Sequence, residues 1–486
     1  MWIELQSTRL SKRGFSSGVA YVSAMRTPSN EIKMNFTKRR IEIISLLLLI
    51  IAVIFIFPIS AETADGDSVP IFTLPGKTTI YDMKMITEES ESSINYESLK
   101  IPESVIASSD AKKASGEIAK DSEIYDVICF NNPIPNRQAE ITLPITLYGK
   151  DYLLLLKRMN FENIDDGIDS YEGVISGIDD SHVVLTADMD NILCGFISYP
   201  GEYITISAIQ ASENSRTTGM PLHIVYSEYD MLQPDEPIEF CGVKDQIQTA
   251  PLSENIVKSA GSNSKGPYDT IYVDVLVVTD DAFYSSSWVT IAQSYIATAN
   301  SVTSYGRDDV KVVLVPHYDV SQKSQLSANS SITTYPLETL AYYYPLSTLN
   351  SLNVDLCVYL GGYDIEGVNY KAQGMSWGYD TRYDTRYAWS QMVSDANDFP
   401  SNIYNGNDYA RTFCIIHEIG HCFGAVHEQT YTWGLLLNVR NTVMLSEYYG
   451  SPFNLFEFSS PSYHGDSTHN NAQIIRNNKT SVSLHT

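Results

Sequence analysis

The stretch HEIGHCFGAVHE, residues 417–428, gathers three of the chain's nine histidines into twelve positions. On an α-helix, positions four apart stand on one face a turn apart, so His417 and His421 can aim imidazole nitrogens at one point. Glu418 projects beside them. Gly424 is the residue best able to take a positive φ and end such a helix, and the returning chain then brings His427 to the same point. Three neutral imidazoles leave a fourth position for water, the open arrangement of a catalytic Zn2+ rather than the closed one of a structural ion. The expected chemistry is attack on a carbonyl by a water acidified by one zinc ion, with Glu418 as general base and no covalent intermediate. A lone helical histidine is more often a satisfied polar residue than a ligand; three in register with a glycine and a glutamate argue for the metal.

Such a cluster needs a helix and a scaffold. YARTFCIIHEIGHCFGAVHE predicts a helix followed by a turn. Upstream, TIYVDVLVVTD, DVKVVLVPHYDV and VDLCVYLGG read as buried strands. WVTIAQSYIATANSVTSYG has helical spacing that stops at Gly306, and ITTYPLETLAYYYPLSTLN reads as a further helix. Strands alternating with helices predict an α/β (α+β) domain over 267–486, a sheet packed on helices. Between Glu140 and about Ile209 the pattern changes to short apolar runs with Val and Ile at two-residue spacing, divided by Gly, Asp and Asn, which predicts a small antiparallel β domain. A domain over 127–266 results, ending in a linker at GSNSKGP. Residues 62–126, rich in Ser, Glu and Lys, read as a solvated lead-in.

Residues 1–61 are set apart. Lys38, Arg39 and Arg40 precede an apolar run from Ile43 to Phe57, 15 residues, which suits a signal peptide better than a membrane span. Ile59-Ser60-Ala61 offers a cleavage site, and Met34 is a candidate start. The expected location is therefore extracellular; an uncleaved segment would instead anchor the chain to the outer face of the membrane. The formal charge of −26 argues against a nucleic-acid partner, since phosphate binding needs clustered Lys and Arg. Six cysteines are too few for a disulfide scaffold in 486 residues. Cys414 and Cys422 lie about 12 Å apart along one helix, too far to pair with each other, and read as small core residues.

HEIGHCFGAVHE resembles the metzincin zinc-protease pattern HExxHxxGxxH in full. NTVML, with Met444 seventeen residues after His427, resembles the methionine turn that metzincins place beneath the metal. FEFSSPSYHGD and NNAQIIRNN are similar to the closing segment and C-terminal helix of reprolysin-like (adamalysin-like) members, and YEGVISGIDDSHVVLT with GFISYPGEYITIS is similar to their propeptide. IEFCGVKD resembles their cysteine switch, with Cys241 in the place of the latent-state zinc ligand. A thiolate in the fourth position displaces the water the reaction needs. The resemblance implies a twisted mixed sheet packed on helices with a zinc-binding helix, preceded by a mostly β propeptide that acts as an intramolecular inhibitor. Two positions depart from it: Glu428 follows the third histidine where this branch usually has Asp, and Ser446 stands where related branches add a tyrosine ligand, Tyr448 and Tyr449 being nearby.

The implied function is a secreted zinc endopeptidase made as a latent precursor, acting on proteins or peptides. Substrate would lie extended against a sheet edge, which the resemblance places at Gly374 to Trp377. Activation is expected by a cut within about 243–268, where no basic pair occurs. The alternative is a noncatalytic surface or envelope protein with a structural zinc; Glu418 beside the histidines argues against it. Nothing in the sequence bears on calcium. His464 and His469 read as loop surface, and Asn329 and Asn478 lie in glycosylation sequons.

Overall fold

The computed structural model describes residues 80–83, 125–130, 138–147, 150–161, 166–190, 192–208, 222–229, 238–239, 241, 268–329, 336–363, 374–377, 386–392, 408–434, 439–448 and 455–485. All fall in one compact unit, Thr73–Thr486. The expected signal segment, most of the lead-in and the linker lie outside the described residues. Among the described residues no helix is long and apolar enough to cross a membrane. The fold is mixed α+β.

Alternation builds the N-terminal sheet. Its strands are β1 (Ile80–Met83), β2 (Tyr125–Phe130), β3 (Glu140–Leu147), β4 (Lys150–Arg158), β5 (Ile168–Ile175), β6 (His182–Asp188), β7 (Leu193–Tyr199), β8 (Glu202–Ala208) and β9 (Leu222–Ser227). They run in the order β1-β2-β9-β8-β7-β6-β5-β4-β3, antiparallel except where β1 pairs with β2. The sheet curls until β1 touches β3. Its inner face is a core of its own, filled by Leu143 and Ile145 of β3, Leu154 and Leu156 of β4, and Leu185 of β6. β6 is buried on both faces, because its side chains alternate: Val183 and Leu185 enter the inner core while Val184 points the other way. Strand β9 lies past the segment in which alternation was recognised.

After the two-residue β10 (Ile238–Glu239), a second sheet is made of β11 (Ile271–Thr279), β12 (Val312–Asp319), β13 (Leu356–Gly361), β14 (Gly374–Ser376) and β15 (Tyr387–Gln391). Its order is β12-β11-β13-β15-β14, parallel but for the edge strand β14. The three strands read from the sequence are β11, β12 and β13. The short β14, at the expected substrate edge, and β15 complete the sheet. Both of its faces are covered. One carries α1 (Trp288–Ala299) and α5 (Asp408–Cys422); the other carries α2 (Lys323–Asn329), α3 (Pro336–Tyr343) and α4 (Leu346–Leu352). A last helix, α6 (Asn471–Val482), matches the Asn-rich segment.

Two helices differ from expectation. Where one helix is expected over 332–350, the described residues from 336 onward form two, because Pro345, extended at φ −65° and ψ 163°, has no N–H to continue a helix and caps α4 instead. Helix α1 ends at Ala299, well before Gly306, and the chain then turns so tightly that a Cβ at Gly306 would fall 2.2 Å from the Asn300 carbonyl oxygen.

One buried cluster runs across the expected boundary near residue 267. Val184, Cys194 and Phe196 of the N-terminal sheet belong to the same buried cluster as Ile291, Tyr295, Tyr409 and Phe456. Helix α1 lies between the two sheets, touching β5, β6 and β7 on one side and β12 on the other.

Candidate metal centre

Helix α5 supplies most of the site. Fourteen of its fifteen residues are buried, Arg411 being the exception, so it is a core helix that carries its polar groups inside. Asp408 at its first turn accepts hydrogen bonds from the Tyr295 hydroxyl at 2.7 Å and from Arg411 at 3.0 Å, placing an anion at the helix's positive end. The helix stops at Gly424, whose φ is +83°. The Ala425 N–H donates to the Gly420 carbonyl at 3.0 Å and the Gly424 N–H to that of His421 at 2.8 Å, the paired bonds of a Schellman end. The chain then doubles back into a 3-10 turn at His427–Gln429.

This brings three ring nitrogens together. His417 Nε2 lies 3.0 Å from His421 Nε2 and 3.1 Å from His427 Nε2, and the last two are 3.0 Å apart. Cys241 Sγ lies 3.5 Å from His421 Nε2. The four ligand atoms all fall within 4.8 Å of one another, and Cys241, His417 and His421 are buried. Proton placement shows what such a group is suited to. His417 Nδ1 donates to the Val443 carbonyl at 2.7 Å and His421 Nδ1 to the Ala425 carbonyl at 2.8 Å. A carbonyl only accepts, so both rings carry their proton on Nδ1 and turn bare Nε2 lone pairs toward each other. Two lone pairs at 3.0 Å repel unless a cation lies between them. Burial, with His421 and His427 adding to it, pushes the His417 pKa well below its usual value and keeps the ring neutral. The buried Cys/His group can hold a metal ion.

No protein-family model matches this chain, and no curated protein matches it.

Glu418, Met444 and Gly374 lie around the four donors. Glu418 is buried, and neither carboxylate oxygen makes a well-formed hydrogen bond, although the Cys241 thiol lies beside it. Burial raises its pKa well above the usual carboxylate range, and the thiol opposes that only in part. Met444 is fully buried under α5, and the turn that holds it also presents the Val443 carbonyl to His417. Cys241 forms a parallel bridge to Gly374 of edge strand β14, while β10 pairs antiparallel with β16 (Glu447–Tyr448). The Cys241 segment thus lies between the sheet edge and the chain that follows Met444. Gly374 lets β14 lie close against α5, because a Cβ there would meet Cys414 Sγ at 2.4 Å and Glu418 Oε1 at 2.7 Å.

Other expected residues lie apart. Glu428 is exposed, Ser446 is half-buried and not among the donors, Tyr448 takes part in β16, and Tyr449 lies outside the described residues. His464 stacks on Trp433 with ring centroids 3.8 Å apart and is paired with Glu457, whereas His469 pairs with Asp466 at 2.9 Å. Cys414, Cys422, Cys194 and Cys357 are buried and in no disulfide. Asn478 donates its side-chain amide to the Phe423 carbonyl at 2.9 Å.

Two positioning residues were not read from the sequence. Gly420 sits in the interior of α5, where glycine weakens a helix, and such a residue usually has a packing reason. Asn471 opens α6, accepting from the Val426 N–H at 2.9 Å and donating to the Val426 carbonyl at 3.0 Å. It therefore clamps the peptide just before His427. No spacing rule links the two residues, since 44 positions separate them.

Proposed function

We propose that the protein is an exported zinc-dependent endopeptidase of metzincin type, reprolysin-like, held latent by Cys241. One observation carries this: three imidazole Nε2 atoms 3.0–3.1 Å apart, with a thiol 3.5 Å from one of them and a buried glutamate alongside. A tetrahedral zinc with Zn–N of about 2.05 Å and Zn–S of about 2.3 Å would separate nitrogens by about 3.3 Å and nitrogen from sulfur by about 3.5 Å. The donor set fits that ion. The mixed sheet with β14 at its edge and α5 beneath it is also what the resemblance implies.

His417, His421 and His427 would hold the ion, and Cys241 would occupy the fourth position in the latent form. When bound, zinc supplies Lewis acidity and a water acidic enough to lose its proton near neutral pH. Glu418 accepts that proton and delivers it to the departing amine nitrogen. The buried setting that raises the Glu418 pKa suits a group that must both take and give a proton. β14 offers backbone groups to an extended peptide, along the side that the Cys241 segment covers.

The four-donor arrangement is also that of a structural zinc site, which a noncatalytic surface protein would use. Glu418→Gln separates the two. The variant should bind one zinc per chain and lose cleavage of a denatured protein substrate by several orders of magnitude relative to wild type after thiol modification. Cleavage that survives the substitution, or zinc binding without cleavage in the unsubstituted protein, would defeat the proposal.

A further inference from the structure

The N-terminal sheet does two separable things. Through β10 and Cys241 it reaches the metal centre by a two-residue strand pair and one backbone bridge. Through β5 to β9 it is built into the body of the protein, far more extensively.

Four observations describe that second attachment. Phe196 of β7 and Tyr203 of β8 stand edge-on to Tyr409 of α5, with ring centroids at 5.9 Å and 4.9 Å, and Tyr409 stacks on Phe456 at 4.4 Å. Aromatic pairs of this geometry add to the burial they accompany. The buried Tyr226 of β9 sets its hydroxyl beside Asp408, the first residue of the helix that carries His417 and His421. Thr290 of α1 donates to Asp188 at 2.6 Å, and the Val302 N–H donates to Glu172 at 2.8 Å. Finally, every residue of α1 but Val289 is buried. A helix of a two-layer domain keeps a solvated face; one buried all round belongs between two layers.

We propose that the N-terminal sheet is a permanent part of the mature molecule rather than a segment that leaves on activation. A cut within 243–268 then yields two chains that stay folded together, and the site opens by displacement of the short Cys241 segment alone. That the cut activates rests on the protease reading; the persistence of the two-chain body does not. Loss of the sheet would uncover Tyr409 and Phe456 and strip α1 of one of its two layers.

The test is a cut made after folding. Residues 250–257 are replaced by the recognition sequence of a site-specific protease, the purified full chain is cut, and the product is run on a native sizing column. The expected result is no shift in elution volume, with both chains in one peak that denaturant resolves into two. Separation under native conditions, with the C-terminal chain eluting alone, would overturn the proposal. The same cut is made in Cys241→Ala, in which the thiol contact is gone. Co-elution is again expected, and separation only in this variant would show that the switch segment held the chains together, which also overturns it. Zinc-dependent cleavage of a denatured protein by the co-eluting variant supports both readings. Co-elution with no cleavage would defeat the protease and leave the two-chain body standing.

Discussion

Gly420 and Met444 share one space: a Cβ built on Gly420 would lie 2.7 Å from the Met444 sulfur and 3.1 Å from Cε1 of Phe458. The methionine is fully buried, so the sulfur has little room to withdraw. Glycine in a helix interior is unfavourable by about 1 kcal/mol relative to alanine, and here that cost allows the turn at Met444 to press against the helix between His417 and His421. Gly420→Ala should therefore destabilise, by about 1–3 kcal/mol, although alanine is the better helix former. Urea unfolding of Gly420→Ala, Met444→Ala and the double variant should show a coupling of at least about 1 kcal/mol, because the truncated methionine makes room for the new methyl. Additive effects would mean that the two residues do not constrain each other.

Asn471 should control the third ligand without touching the metal. Its amide satisfies both the N–H and the carbonyl of Val426, which fixes the peptide that leads into His427. Asn471→Ala removes both bonds and should weaken zinc affinity by about 10- to 100-fold, the range seen when a group orienting a ligand is lost. Competition with a chromogenic chelator measures it. Asn471→Asp keeps the acceptor but not the donor, so an affinity between those of wild type and Asn471→Ala is expected.

Much of this centre was legible because it is local. The i, i+4 pair, the glycine and the third histidine occupy one continuous stretch, and helix geometry alone brings them together. The strands β11, β12 and β13 were legible because they are unbroken apolar runs. What escaped depends on contacts between distant segments. Strand β15, YAWSQ, is too short to show a period, and β9 lies in a region without clear alternation. Gly420 and Asn471 matter only through Met444 and Val426, which neither composition nor spacing connects to them. The shared core escaped for a similar reason: β6 alternates between two apolar environments, so its sequence reads as a buried strand without revealing what lies on each side.

Asp355 makes stability depend on pH far from the metal centre. Its carboxyl is buried, with one oxygen accepting from the Asp274 N–H at 2.9 Å and the other without a partner. Burial first, with the Asp274 carboxylate adding to it, raises its pKa from 3.8 to about 6. Between about pH 4 and 6 the folded protein holds a proton that the unfolded chain has released, so this group's contribution to stability falls as pH rises through that window. With allowance for screening the loss is about 1–2 kcal/mol, complete above pH 6. Asp355→Asn keeps an acceptor for the Asp274 N–H and removes the titration. Its melting temperature should gain on wild type between pH 4 and 7; parallel curves would rule out the raised pKa.

Metal removal tests the histidine geometry directly. The Nε2 atoms of His417 and His421 face each other as bare acceptors, each ring fixed by its own carbonyl, so folding without a cation leaves that repulsion uncompensated. An ion that binds the folded chain and not the unfolded one stabilises it by about 4 kcal/mol when present at about a thousand times its dissociation constant. A strong chelator should therefore lower the melting temperature of the intact protein by several degrees, and added zinc should restore it. His421→Ala loses a ligand as well as one member of the repelling pair, so its melting temperature should be nearly insensitive to chelator. Cys241→Ala keeps all three imidazoles and should retain most of the chelator-sensitive shift. If His421→Ala responded to the chelator as strongly as the intact protein, the stabilising ion would be bound elsewhere.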